Sequence, residues 1–379
     1  MRALLNLTAI LFLLSLTVAH AAPSLIPSPP RLAATGYILM DFQSGQILAE
    51  SNADERMEPA SLTKMMTAYT VFHELKAGHI RIDDKVRVSE KAWRMTGSRM
   101  FIEVGSTVSV EELLKGMIIQ SGNDASVALA EFVAGSEDAF VPLMNAHAKN
   151  LGLTGTHFAN STGLPHKDHY TTPRDMARLA AVLIREFADH YSWYSEKKYT
   201  YNNITQSNRN LLLYRDESVD GVKTGHTESA GYCLVASAKR DEMRLISVVM
   251  GTNSEKARAQ ESQKLLNYGF RFFETHRLYA ADEPLKQMRI WKGATESLPL
   301  GLSEELYVTV PRGQYKDLNA SLSVDKTIVA PASKGQAFGM VNIKLGEEVL
   351  AQRPLVALQD VGEGGLWQKV TDHVMLMFQ

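Results

Sequence analysis

The sequence predicts an α+β protein: an antiparallel sheet covered by helices, followed by a small all-β domain. Three observations carry that prediction. Strand-like runs stand on both sides of a long helical block, and the helical block carries explicit cap signals. Beyond about Arg277, short runs with period-two patterning recur between turn signals.

The N-terminus comes first. Arg2 is the only charge ahead of an apolar run at 9–18, and Ala19-His20-Ala21 follows in an A-x-A arrangement. That order predicts a secretory signal peptide over 1–21 and an exported protein. The run is short for a membrane span of about 20 residues. What remains of the 379 residues is too long for one ordinary core. Two domains, 22–276 and 277–360, with a tail at 361–379, divide it.

Apolar content of 45% and charged content of 22% are those of a globular protein. A net charge of −2 gives no footprint for nucleic acid. The single cysteine, Cys233, excludes an intrachain disulfide and sits in an apolar run, which reads as a small buried residue.

Strand-like segments at 36–40 and 46–50 flank the turn residues 41–45, predicting a hairpin. Ser61 opens a helix-forming run at 62–75. Ser109 and Glu112 have capping-box spacing ahead of 113–119. Asn123-Asp124 opens an Ala-rich helix to Val133. Thr172 followed by Pro173 starts another, to about Glu186. Segments 230–238 and 243–251 flank the polar turn 239–242 as a second hairpin, and a helix at 254–275 closes this part. The β domain then reads as strands at 306–310, 320–324, 338–345 and 349–358.

Three short motifs carry chemistry. The first is Ser61-Leu62-Thr63-Lys64. Residues three apart share a helix face, so Lys64 can bring its amine to the Ser61 hydroxyl. A serine alcohol needs a base, and lysine can serve only if its pKa falls by about three units, a shift of about 4 kcal/mol. Burial and a second nearby cation are the effects that could produce it. The S-x-x-K spacing also occurs at Ser195/Lys198 and Ser323/Lys326, but only Ser61 opens an apolar helical run, where backbone N–H groups point outward.

The second motif, Ser121-Gly122-Asn123, lies between two helices. Ser121 could pass a proton between Lys64 and a leaving amine, and the Asn123 amide could hold a substrate backbone; alone, the tripeptide reads as a turn with an N-cap. The third, Lys223-Thr224-Gly225, is followed by His226-Thr227 and lies just before a strand. Lys223 supplies charge, Thr224 a hydroxyl, and Gly225 room for close backbone approach. The eleven histidines show no metal-ligand spacing such as H-E-x-x-H, so neither metal nor cofactor is expected.

In this order, the three motifs form the signature of penicillin-binding proteins and serine β-lactamases. With their flanks, 58–67, 121–125 and 219–227, the sequence resembles the low-molecular-mass penicillin-binding proteins, D-alanyl-D-alanine carboxypeptidases of the transpeptidase-like superfamily. The resemblance covers essentially the whole mature chain. It implies a serine carboxypeptidase that removes the terminal D-alanine from peptidoglycan pentapeptides through an acyl-enzyme on Ser61, and that binds β-lactams covalently. It implies an oxyanion hole from the Ser61 and His226 N–H groups, and Lys223 as the cation that depresses Lys64 and helps recognise a carboxylate. It also maps a carboxylate-binding arginine onto Arg258, which otherwise reads as a helix-surface charge.

Two further readings stand beside it. A class A β-lactamase shares the trio but needs a deacylating glutamate between the second and third motifs; Glu186 and Glu196 lie there outside any matching pattern. A non-catalytic wall-binding or β-lactam-sensing protein would not require Lys64 and Ser121. At the C-terminus, Trp367, Val370, Val374 and Met377/Phe378 fall at helical spacing. They predict an amphipathic helix on the inner-membrane surface, or one docked on the protein itself.

Overall fold

A computed structural model describes residues 26–377; the leader at 1–21 and Phe378 lie outside the described residues. The central sheet has five antiparallel strands in the order Ile47–Ser51, Gly36–Asp41, Met243–Thr252, Gly231–Arg240, Val219–Thr227. Both anticipated hairpins are present.

Successive strand residues point to opposite faces, and both faces are buried. Cys233, Val235, Ile246 and Val248 pack against the helical block with Leu62, Met65, Met66 and Phe72. Leu234, Ala236, Leu245 and Val249 face Leu265 and Leu266 of the helix Glu255–Phe272. Two covered faces explain why these strands read as continuous apolar runs. Cys233 is fully buried, and burial pushes its thiol up to about 11, so it is inert.

The cap signals are realised. Ser109 Oγ accepts from the Glu112 N–H at 3.2 Å, and Glu112 Oε2 accepts from the Ser109 N–H at 3.0 Å, opening the helix Val110–Ile119. Thr172 Oγ1 accepts from the Asp175 N–H at 3.1 Å ahead of Pro173–Glu186.

Four features depart from the pattern. Ser61 lies in a 3-10 turn, Ala60–Thr63, and the α-helix begins at Lys64 and runs to Lys76. The helix Glu137–Asn150 was not anticipated because Pro142 interrupts it; burial of Phe140 and Met144 outweighs that penalty. The helix expected over 254–275 ends at Phe272, since Phe273 turns extended and starts a strand, Phe273–Tyr279, paired with Leu306–Pro311. The third motif lies inside a strand rather than before one: Val219–Thr227 is an edge of the central sheet.

The C-terminal all-β domain contains a six-stranded sheet around Leu298, Leu300, Val341, Ile343 and Leu355. After it, the helix Leu366–Leu376 docks through its polar side. Asp372, 2% exposed, accepts from Arg289 Nη2 at 3.1 Å and from the Lys292 N–H at 2.5 Å. Trp367 is 87% exposed, and Val370 and Val374 are also open to solvent. Among the described residues, no helix is long and apolar enough to cross a membrane.

Asp41 ties the first hairpin to the β domain. Its carboxylate accepts from the Ser44 N–H at 2.7 Å and from Thr275 Oγ1 at 2.7 Å, while Ser44 Oγ lies 2.6 Å from Thr309 Oγ1. Removing the acceptor leaves the Ser44 N–H unpaired and strips Thr275 of one of its two partners, so Asp41→Ala should cost about 2 kcal/mol in a denaturant melt.

Candidate active site

The site is built where three distant segments meet: the 3-10 turn at the head of the Lys64 helix, the loop between the helices Val110–Ile119 and Asn123–Ala134, and the edge strand Val219–Thr227. A cavity of about 320 Å³ opens there. Ser61, Ser121, Asn123, Thr224, Gly225, His226 and Arg258 all line it. Lys64 and Lys223, 1% and 3% exposed, stand behind that wall.

Lys64 Nζ has three neighbours: Ser61 Oγ at 3.1 Å, Asn123 Oδ1 at 2.7 Å and the Thr162 carbonyl at 2.6 Å. Its pKa falls to about 7: burial lowers it most, Asp124 opposes, and Arg209 adds a smaller lowering. The lowering foreseen from sequence is therefore present, with burial as its main cause and Arg209 as one helping cation.

Proton counting then fixes the orientation of the neutral amine. It has two N–H donors and one lone pair. Asn123 Oδ1 and the Thr162 carbonyl can only accept, so they take both donors. The lone pair is left for the Ser61 hydroxyl. Asn123 cannot flip, because its Nδ2 donates to the Thr96 carbonyl at 2.7 Å. One Nδ2 proton remains for a ligand.

Lys223 Nζ donates to Ser121 Oγ at 2.9 Å and to the Thr224 carbonyl at 3.2 Å. Its pKa is pushed well down, first by burial and then by the charges of Lys64, Arg209 and Arg258. Ser121 is thus held by Lys223. Lys223 stands behind the cavity wall, and its amine meets the cavity through the Ser121 hydroxyl.

Arg258 is not a surface charge. It is 2% exposed, donates to the Gly225 carbonyl at 3.1 Å, and lies 5.5 Å from the Tyr232 ring. His226 stacks on that same ring at 3.9 Å. Sequence reasoning missed Arg209, which enters the cavity from a loop without motif or periodicity and donates to Ser98 Oγ at 3.2 Å. It missed Thr162 as well, because a backbone carbonyl leaves no mark in a sequence.

The backbone is strained beside two of the serines. Ala60 and Ser121 have φ of 47° and 70°, a region that costs a non-glycine residue roughly 1–2 kcal/mol. Gly163 has φ of 88°, and a Cβ there would lie 1.8 Å from the Ala60 carbonyl oxygen.

Comparison with known proteins finds matches to both parts of the chain. The family described as D-alanyl-D-alanine carboxypeptidase matches residues 24–254, and the penicillin-binding protein 5 C-terminal domain family matches residues 273–363. The chain is 45% identical to D-alanyl-D-alanine carboxypeptidase DacA of Escherichia coli, over 99% of its own length and 96% of that protein's. It is 46% identical to DacC of the same organism, covering 98% and 94%. A crystal structure of penicillin-binding protein 5 from Haemophilus influenzae superposes with a TM-score of 0.86 at 43% identity, covering 89% of this chain and all of that one.

Gly163→Ala should therefore push the turn that carries Ser61. The variant is expected to lose about 3 kcal/mol or more of stability, and penicillin acylation should fall by about a hundredfold per folded molecule. A fluorescent-penicillin time course alongside a thermal melt checks both.

Proposed function

Because the chain belongs to the D-alanyl-D-alanine carboxypeptidase family of serine hydrolases, we propose that Ser61 is its nucleophile and Lys64 the general base. The observation that carries this reading is the lone pair of Lys64, left for Ser61 once Asn123 and Thr162 have taken the amine's protons.

A peptidoglycan stem peptide ending in D-Ala-D-Ala lies along the outer edge of Val219–Thr227 as an added strand. Arg209, Arg258 and Thr224 receive its terminal carboxylate, and the spare Nδ2 proton of Asn123 holds a substrate carbonyl. Ser61 Oγ attacks the penultimate carbonyl carbon as Lys64 takes the hydroxyl proton. The Ser61 and His226 N–H groups stabilise the oxyanion, a term of roughly 3–4 kcal/mol per donor. As the C–N bond breaks, Ser121, held by Lys223, relays to the departing D-alanine amine the proton that Lys64 took from Ser61, which returns Lys64 to its neutral form. Water then hydrolyses the ester and releases the shortened peptide.

The cavity favours a peptidase over a class A β-lactamase. Among the described residues, its one carboxylate is Glu255, beside Arg258. Glu186 sits instead by the Tyr69 hydroxyl, at 3.3 Å. A penicillin acyl group therefore lacks the glutamate that a class A enzyme uses for release.

We also propose 22–276 and 277–360 as the two domains, 1–21 as a cleaved leader and the periplasm as the site of action. The exposed face of Leu366–Leu376 is proposed to rest on the inner-membrane surface, since docking through Asp372 leaves its apolar side outward.

Mass mapping should find the penicillin adduct on Ser61, and an adduct on Ser195 or Ser323 would refute the assignment. Lys64→Ala should slow acylation by about a hundredfold or more. Acylation needs the neutral amine, so it should rise with pH through about 7 and level off above. At pH 5 it should be about a hundredfold below the plateau. A flat profile between pH 5 and 8 would show that the base is another group.

The tail is tested by Trp367→Glu with Val374→Glu, which keep the Asp372 contacts. Each buried apolar side chain contributes about 1.5–3 kcal/mol, so the pair should largely abolish co-sedimentation with anionic vesicles while peptidase activity is unchanged. Equal sedimentation of both proteins would remove the tail as the anchor.

A further inference from the structure

The segment between residues 159 and 163 has neither helix nor strand, yet it delivers the Thr162 carbonyl to Lys64. Its buried backbone groups must be held by side chains. Asn160 Oδ1 accepts from the Thr162 N–H at 3.1 Å and the Gly163 N–H at 2.7 Å. Ser161, fully buried, is the centre of the grip. Its carbonyl accepts from Thr67 Oγ1 at 2.7 Å. Its own N–H and hydroxyl both donate to Glu137 Oε1, at 3.0 Å and 2.7 Å.

Glu137 is the one charged group in this grip. It stands at the start of the helix Glu137–Asn150, and its other oxygen, Oε2, pairs with Lys91 Nζ at 2.9 Å. Burial works to raise its carboxyl, but the Ser161 hydrogen bonds and Lys91 outweigh that and hold it below the usual range. The carboxylate is therefore charged at neutral pH, and the helix N-terminus beneath it favours that charge. A continuous chain of contacts runs from Lys91 through Glu137 and Ser161 to the Thr162 carbonyl, Lys64 and Ser61.

We propose that Glu137 is a positioning residue for the catalytic base: by gripping Ser161 it sets the Thr162 carbonyl on Lys64, and so aims the amine's lone pair at Ser61. The inference rests on Lys64 being the base. Glu137 touches neither substrate nor nucleophile, and it acts only on the orientation and seclusion of the amine.

The test is stopped-flow acylation by a fluorescent penicillin, resolved into noncovalent affinity and acylation rate constant for the acylatable fraction. Glu137→Ala should slow the rate constant about tenfold, the worth of one hydrogen bond, and leave the noncovalent affinity within about twofold. The acidic limb of its pH profile should move up from about 7, because a loosened segment admits water to an amine whose low pKa comes mainly from burial. Glu137→Gln keeps an acceptor for Ser161 and should recover most of the rate.

A Glu137→Ala protein with the wild-type rate constant and limb overturns the proposal. So does a rate loss that is matched by an equal loss of noncovalent affinity. If that variant does not fold, Ser161→Ala carries the same expectation at about threefold, and a wild-type rate there overturns it equally. Lys64→Ala run in parallel separates this outcome from failure of the base assignment, since a fast Lys64→Ala protein refutes the base while saying nothing against the Ser161 grip.

Discussion

The site depends on keeping one amine dry and fully partnered. A lysine buried without partners would cost several kcal/mol, and a lysine left in water would stay protonated and useless as a base. Lys64 avoids both outcomes. Burial lowers its pKa to about 7, and three oxygens satisfy it in either protonation state. As an ammonium it donates to all three; as a neutral amine it keeps the two acceptors that cannot donate and turns its lone pair to the third. The change of state that catalysis requires needs no movement of heavy atoms.

That arrangement sets the demands on the fold. The three oxygens come from residues 61, 123 and 162, so the Lys64 helix, the Asn123 helix and an irregular segment must converge within a hydrogen bond of one another. Convergence this tight leaves little room. Gly163 passes beneath the Ala60 carbonyl where a side chain would collide, and a Cβ at Gly225 would come within 2.9 Å of the Pro59 carbonyl oxygen. The left-handed backbone at Ala60 and Ser121 is held by the same crowding. The large two-sided core absorbs this strain, because the sheet and helices that meet at the site are buried on both faces.

What the sequence made legible follows from range. Capping boxes, hairpin turns and S-x-x-K are local, and a helix converts a spacing of three into a shared face; the Ser109 cap, the hairpin of Gly231–Arg240 with Met243–Thr252 and the Ser61–Lys64 pair were all readable. The three motifs were readable together, because their order adds information that no single tripeptide has. Thr162, Arg209 and Glu137 were opaque for the opposite reason. Thr162 acts through its backbone, Arg209 sits in a loop without periodicity, and Glu137 works through a serine twenty-four residues away. Arg258 was picked out only by the family resemblance, since helix periodicity does not say which charged residue turns inward to meet a distant strand. Pro142 hid a helix by lowering local propensity that tertiary burial then overrode.

The charge balance explains why such a site suits a free C-terminus. Arg209 and Arg258 reach the cavity, and Lys64 and Lys223 stand just behind it. The opposing carboxylates are few. Asp124 is 1% exposed and accepts from the Met100, Phe101 and Ile102 N–H groups, and Glu255, at the rim, is more than half exposed. The cavity therefore carries positive potential, while the two amines behind it owe their lowered pKa values first to burial. In the proposed reading a substrate carboxylate supplies the missing charge beside Thr224, Arg209 and Arg258, which line the same cavity. An amidated or extended peptide brings no such charge to that point and leaves the guanidinium groups uncompensated in a partly desolvated pocket. Burial, which does most to keep the Lys64 amine neutral, also strengthens the pull of the two guanidinium groups on any carboxylate that enters the cavity.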